Sequence, residues 1–374
     1  MRKNFDIIHG NPRQCLFAMV LPMMAAMFLN MAYNLVDSLW IGNLLGESAY
    51  AALTAATPIL LLLNSIAMGA TNGVAILLSQ AIGAGETRRT RTILFTSFIL
   101  SIVFSLGMTG LLEGMVSPLL RFLQVPSELY EMTCLYLRIY LIGYGAVYLY
   151  CYFAAVLRSF GDTVFQMLAM LVCTVLNGAL DPLLIHGFGL QGAAAATVLS
   201  QGICLGFMVC YLRKKALFSF HAADWSGKEL GTICLKSLPA AFQQSIPAIS
   251  TSVLTAIVSG FGVTALAAYG VAGKLELLLF YPAMSFQMVL TTIVGQCIGA
   301  GRRDRAWVYC KTALLWGGGL LIILSCGVVG LAHPLSELFV DSKAVAEVVA
   351  GYFQVVSVGY LFNMETNCFL GAVN

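Results

Sequence analysis

The chain has 374 residues, of which 59% are hydrophobic and 10% charged, with 20 bases against 17 acids for a net charge of +3. A soluble domain carries roughly a quarter charged residues, so this composition excludes a water-soluble globule. The bases are scattered between apolar blocks rather than gathered on one face, which excludes nucleic-acid binding. What remains is an all-α polytopic membrane protein.

Ten apolar blocks are expected to span the bilayer, at about 16–40, 49–78, 92–115, 131–157, 164–185, 191–212, 233–258, 264–297, 308–331 and 347–371. Each reaches the ~20 residues that a helix needs to cross a ~30 Å hydrocarbon core. The first block follows Arg2, Lys3 and Arg13, but it is too long for a signal peptide and no small-residue cleavage site ends it, so it reads as a retained helix. Bases mark the loops on one side: Arg2, Lys3 and Arg13, then Arg88, Arg89 and Arg91, Arg158, the run from Arg213 to Lys236, and Arg302, Arg303, Arg305 and Lys311. The opposite loops hold only Arg121 and Lys343. This bias predicts a cytoplasmic amino terminus in the cell membrane. The eleven cysteines lie without pairing rhythm and read as small apolar residues.

An internal repeat runs through the chain. Gln80-Ala-Ile-Gly-Ala-Gly85 recurs as Gln296-Cys-Ile-Gly-Ala-Gly301, 296 against 80, an offset of 216. At the same offset Met68 matches Met284, Tyr136 matches Tyr352 and Tyr144 matches Tyr360, and Leu21-Pro22 matches Leu238-Pro239 one residue further on. The expected organisation is two homologous six-helix bundles related by an axis along the membrane normal: an amino-terminal lobe at 1–212, a loop at 213–232 and a carboxy-terminal lobe at 233–374. The second bundle is expected to be incomplete, with about ten of twelve helices present, because Asn374 is only the counterpart of Arg158.

Acids at membrane depth are costly, so each marks a candidate site. In the first span Asn30, Asn34 and Asp37 fall at i, i+4 and i+7 with Tyr33 beside them, and in the fifth Asn177 and Asp181 are four apart. Helical spacing places each set on one face. Pro22 lacks an amide proton and can kink the first span. Together these residues predict an acidic, amide-rich pocket that holds a proton, which desolvation favours, or Na⁺ among carboxylate and amide oxygens. In the second half the acids sit elsewhere, with Lys274 and Glu276 in the eighth span and Asn363 and Glu365 in the tenth. Tyr140, Tyr144, Tyr148, Tyr150, Met284 and Met288 read as packing residues, and Glu113 as solvated. His9, His186, His221 and His333 are isolated, with no metal-ligand spacing. The Gly-Ala-Gly loops lack the Gly-Lys-Ser/Thr ending of a phosphate loop and read as tight turns.

The duplicated bundle, the Leu-Pro opening, Asn34-Leu-Val-Asp37, the Gln80–Gly85 loop, Arg158-Ser-Phe-Gly-Asp162 and Leu176-Asn-Gly-Ala-Leu-Asp-Pro-Leu-Leu184 resemble the multidrug and toxic compound extrusion (MATE) transporters. The resemblance implies twelve helices in two lobes that exchange H⁺ or Na⁺ for an exported small organic cation by alternating access. It implies a cation site of Asp37, Tyr33, Asn177 and Asp181, with Thr197 supplying a hydroxyl. Lys274-Leu-Glu276 is similar to a basic-x-Glu element of one bacterial branch, whereas Gln243 and Gln244 stand where another branch has an acid. The chain is read as a monomer in membrane lipid, with no cofactor and no catalytic constellation. A lipid-linked precursor flippase of the same architecture is the alternative, and it would need more bases in its cavity than Arg138 and Lys274.

Overall fold

The computed structural model describes residues 6–123, 125–215, 224–337 and 343–373. Within them the chain forms eleven α-helices and no strand. In order these are α1 (Pro12–Leu45), α2 (Glu47–Gly83), α3 (Thr87–Phe122), α4 (Ser127–Ile142), α5 (Tyr144–Ser159), α6 (Thr163–Phe188), α7 (Leu190–Lys214), α8 (Gly227–Ser259), α9 (Val263–Gly299), α10 (Arg303–Glu337) and α11 (Lys343–Val373). Seven of them are long and apolar enough to cross a membrane, and up to nine spans result if each of two bent pairs counts as one. The expected seventh span, α8, is not among them; it carries Lys228, Glu229, Lys236, Gln243 and Gln244 along its first half. His221 and Asn374 lie outside the described residues.

Local chemistry sets the helix ends. Asn11 caps α1, its Oδ1 accepting from the Arg13 amide at 3.0 Å, and Pro12 follows at the first helical position, where its missing N–H costs nothing. α1 then runs through Pro22 as a single helix. Asp162 caps α6 by accepting from the Phe165 amide at 3.1 Å, and it also accepts from Tyr211 and Lys215 near the end of α7. Lys215's own contact with Tyr211, and after it the bond to Asp162, hold its ammonium above the ordinary pKa. The two Gly-Ala-Gly sequences are helix stops. Gly85 and Gly301 adopt φ of 70° and 72°, and the next amides reach back to Ala81 and Cys297 carbonyls.

The repeat is visible in the backbone. α9 reproduces α2 end for end at the sequence offset, both 37 residues long, and α10 begins at the counterpart of the α3 start. The expected fourth span, 131–157, is broken. α4 and α5 meet at Gly143 with a 49° bend, because Val198 of α7 fills the break; a Cβ on Gly143 would lie 2.2 Å from a Val198 methyl. Its counterpart α11 bends by 53° between Ser357 and Phe362, the stretch that holds Gly359.

By contacts the chain divides into two compact units. One comprises Met1–Met24, Gly83–Gly85 and Ile246–Asn374, and the other Ala25–Ile82 and Glu86–Ser245. α1 and α8 each contribute residues to both units. In the α9–α11 unit, the three carboxy-terminal helices pack on one another and Leu16, Met19, Val20 and Met23 of α1 are buried. In the α2–α7 unit, α7 packs against α4, α5 and α6 around a core that includes Tyr144, Tyr152 and Phe153. The α6–α7 hairpin is tightly closed: a Cβ on Gly192 would lie 2.1 Å from the Leu184 carbonyl oxygen. Replacing Gly192 with valine is therefore expected to destabilise the unit by about 1–3 kcal/mol, as overpacking does. The check is the thermal midpoint in detergent, with Gly110→Val, where nothing lies within 4 Å, leaving it unchanged.

Candidate functional site

α1 presents Tyr33 and Asp37, four residues apart, on a buried face of the α2–α7 unit, with exposures of 4% and 8%. α6 presents Asn177 and Asp181 in the same way, both at 0%. The Asn177 amide donates to Asp181 Oδ1 at 3.0 Å. α7 completes the group with Thr197 and Ser200. The Tyr33 hydroxyl stands 3.5 Å from Ser200 Oγ, which donates to the Thr197 carbonyl at 3.0 Å. Tyr136 of α4 lies within electrostatic reach of both carboxylates and of Tyr33 and Tyr140. Tyr140 donates to Asn64 Oδ1 at 3.4 Å, and Tyr144 to the Leu63 carbonyl at 3.0 Å.

Among the described residues, three buried oxygens here have no hydrogen-bond donor: Asp37 Oδ1, Asn177 Oδ1 and Asp181 Oδ2. Buried acceptors are nearly always matched in folded proteins, because desolvating them without a partner is costly. All three are acceptors, so a proton, a water O–H or a small hard cation would satisfy them. No group of three or more His, Cys, Asp or Glu able to hold a metal ion occurs among the described residues. A Na⁺ here would instead draw on the two carboxylates and the Asn177 amide oxygen.

Not every residue from the sequence joins this group. Asn34 is exposed, and its amide donates to the Asn30 carbonyl at 2.8 Å. The reason is angular: Asn34 is one residue from Tyr33, so the face that buries Tyr33 and Asp37 turns it outward. Glu276 is in the other unit, where its Oε1 accepts from Tyr352 at 2.6 Å and Tyr360 at 2.7 Å. Lys274 is exposed, as its two-residue separation from Glu276 requires. Glu365 is exposed, and Asn363 accepts from the Asn367 amide. Arg138 lies 3.9 Å from Glu113, so the acid read as solvated has a basic neighbour.

Sequence reading missed Ser200, Tyr136, Tyr352 and Tyr360. A signal for the last two was present. They are the repeat counterparts of Tyr136 and Tyr144, and eight residues, close to two turns, separate them on one face.

A family model for MatE matches residues 22–183 and again 239–374. The chain belongs to the MatE family. The two matched stretches begin at Pro22 and Pro239, the same pair that opens each half of the internal repeat. Among curated relatives, the probable multidrug resistance protein YpnP of Bacillus subtilis is 29% identical over 81% of this chain and 69% of its own length. A protein named FAD transporter from Shewanella oneidensis is 28% identical over 96% of this chain and 81% of its own. The MatE fold is shared with a MOP superfamily transporter from Pyrococcus furiosus, at a TM-score of 0.92 and 23% identity over all of this chain and 85% of that one.

The paired tyrosines are expected to hold Glu276 in place. Replacing both Tyr352 and Tyr360 with phenylalanine strands its oxygen and should lower the unfolding free energy by about 1–3 kcal/mol. Glu276→Gln keeps an acceptor and should cost less, a difference read from thermal midpoints of the purified variants.

Proposed function

We propose that this chain is a cation-coupled antiporter that exports small organic cations by alternating access, with H⁺ or Na⁺ as the coupling ion. The observation that carries the reading is the set of three donorless buried oxygens on Asp37, Asn177 and Asp181. Such a set binds a proton or Na⁺, and a cationic substrate competes for the same negative charge. Tyr33, Thr197 and Ser200 position the group, and Glu276 with its two tyrosines supplies a second acid in the carboxy-terminal half. Relatives named multidrug resistance proteins support the direction and the breadth of substrate. The relative named FAD transporter handles a different molecule, and the buried acids here argue for a cation instead. The flippase alternative gains no support, since Arg138 is half-exposed beside Glu113 and Lys274 is exposed.

In this reading the protein sits in the cell membrane with its amino terminus in the cytoplasm. The repeat organises it as two lobes, 1–212 and 233–374, and it requires no enzyme chemistry. The experiment is ethidium efflux from cells expressing the chain, with the inward H⁺ and Na⁺ gradients collapsed separately. Efflux should fall with one gradient only, which names the ion. Asp37→Asn and Asp181→Asn should each lower coupled efflux by about tenfold or more, some 1.4 kcal/mol of lost coupling, while still inserting. Wild-type efflux from both amide variants would overturn the assignment.

A further inference from the structure

Two arginines at repeat-equivalent positions perform the same task on opposite halves of the chain. Arg89 is the third residue of α3, and Arg305 the third of α10. Within the α9–α11 unit, Arg305 Nε donates to the Ile7 carbonyl at 2.8 Å, and its Nη2 donates to the Gly10 carbonyl. Tyr309, one turn further along α10, donates to the same Ile7 carbonyl at 2.9 Å. The segment they hold is pre-shaped. The Asp6 carboxylate accepts from the Ile8 and His9 amides, and the His9 amide bond foremost keeps that carboxyl below the usual carboxylate range. Beneath the segment lies Cys15, 2% exposed, with its thiol 3.6 Å from the Asp6 carbonyl.

Within the α2–α7 unit, Arg89 Nε donates to Glu229 Oε1 at 3.1 Å, at the start of α8. The Ser226 amide donates to Thr96 Oγ1 at 3.3 Å, and Ile233, one turn beyond Glu229, is fully buried in the core of that unit. The pattern is crossed. The third helix of the second repeat holds the lead into the first helix of the first repeat, and the third helix of the first repeat holds the lead into the first helix of the second. A rigid planar guanidinium suits this task, since its fork engages two acceptors at once.

We infer that Arg89 and Arg305 are paired latches, each fastening the start of the opposite repeat's first helix, and that both release and refasten in the transport cycle. Contacts of this kind, made by half-exposed groups at helix ends, are the ones that open first in a folded protein. The turnover part of the inference rests on the export reading; the holding part does not.

The test uses native membranes containing the full chain, a membrane-permeant maleimide and quantitation of each labelled cysteine by mass spectrometry. Cys15 should be protected in the wild type and labelled about tenfold or more faster in Arg305→Ala, which loses both charge-assisted bonds to the segment. Arg305→Lys, which keeps the charge but not the fork, should fall between. Cys297, fully buried in the same unit, should remain protected and so report that the fold survives. On the other side, the thiol introduced by Ile233→Cys should be labelled faster when combined with Arg89→Ala, and protected again by the swapped pair Arg89→Glu with Glu229→Arg. During ethidium export both reporters should label faster than at rest. Equal Cys15 labelling in the wild type and Arg305→Ala would overturn the latch, and so would resting-level labelling while export is under way. A chain that exports nothing would instead overturn the proposed function and leave the Arg305 comparison readable.

Discussion

Hydrocarbon offers no hydrogen bonds, so every polar group at membrane depth must find its partner inside the protein. That constraint accounts for the long helices, which satisfy their own backbones. It also accounts for the habit of the serine and threonine hydroxyls, which turn back onto their own helices: Thr71 to the Ala67 carbonyl, Ser97 to Ile93, Thr133 to Leu129 and Thr291 to Gln287. Asp37, Asn177 and Asp181 share one buried group in which an oxygen on each is left without a donor. The same rule explains Glu276, whose Oε1 draws two tyrosine hydroxyls instead of being left bare.

The repeat supplies the scaffold and divergence supplies the sites. α2 and α9 have the same length, Gly85 and Gly301 stop their helices with the same backbone geometry, and the spans that follow bend at equivalent positions. What differs is where the acids lie. Tyr144 donates to a backbone carbonyl in the first half, while its counterpart Tyr360 donates to a carboxylate in the second. Two copies of one framework therefore carry unequal chemistry.

Small residues make the framework dense around α7. Gly192 lets α7 rest against the Leu184 carbonyl, and Gly143 lets Val198 enter the break between α4 and α5. Both contacts involve α7, the helix that brings Thr197 and Ser200 up to Tyr33, so the packing that shapes the hairpin also sets the position of the hydroxyls beside the carboxylates.

Much of this was legible in the chain itself. Composition gave the membrane class, because so few charges cannot clothe a soluble body. Fixed helical spacing paired Asn177 with Asp181, and an ungapped repeat gave equivalent helices and loops. Those are one-dimensional properties, and the period of the α-helix converts them directly into faces. Other features depended on neighbours distant in sequence. Only packing decided that Tyr33 rather than Asn34 shares the buried face with Asp37, because spacing defines a face but not which face turns inward. Only the meeting of α4 and α5 with α7 broke the fourth span, since the residue that fills the break, Val198, lies 55 positions from Gly143. The convergence of Tyr352 and Tyr360 on Glu276, and the grip of Arg305 on the residues before α1, likewise join groups far apart in the chain. Such contacts exist only once the helices have packed, which is why the sequence named the acids and the tertiary structure chose their partners.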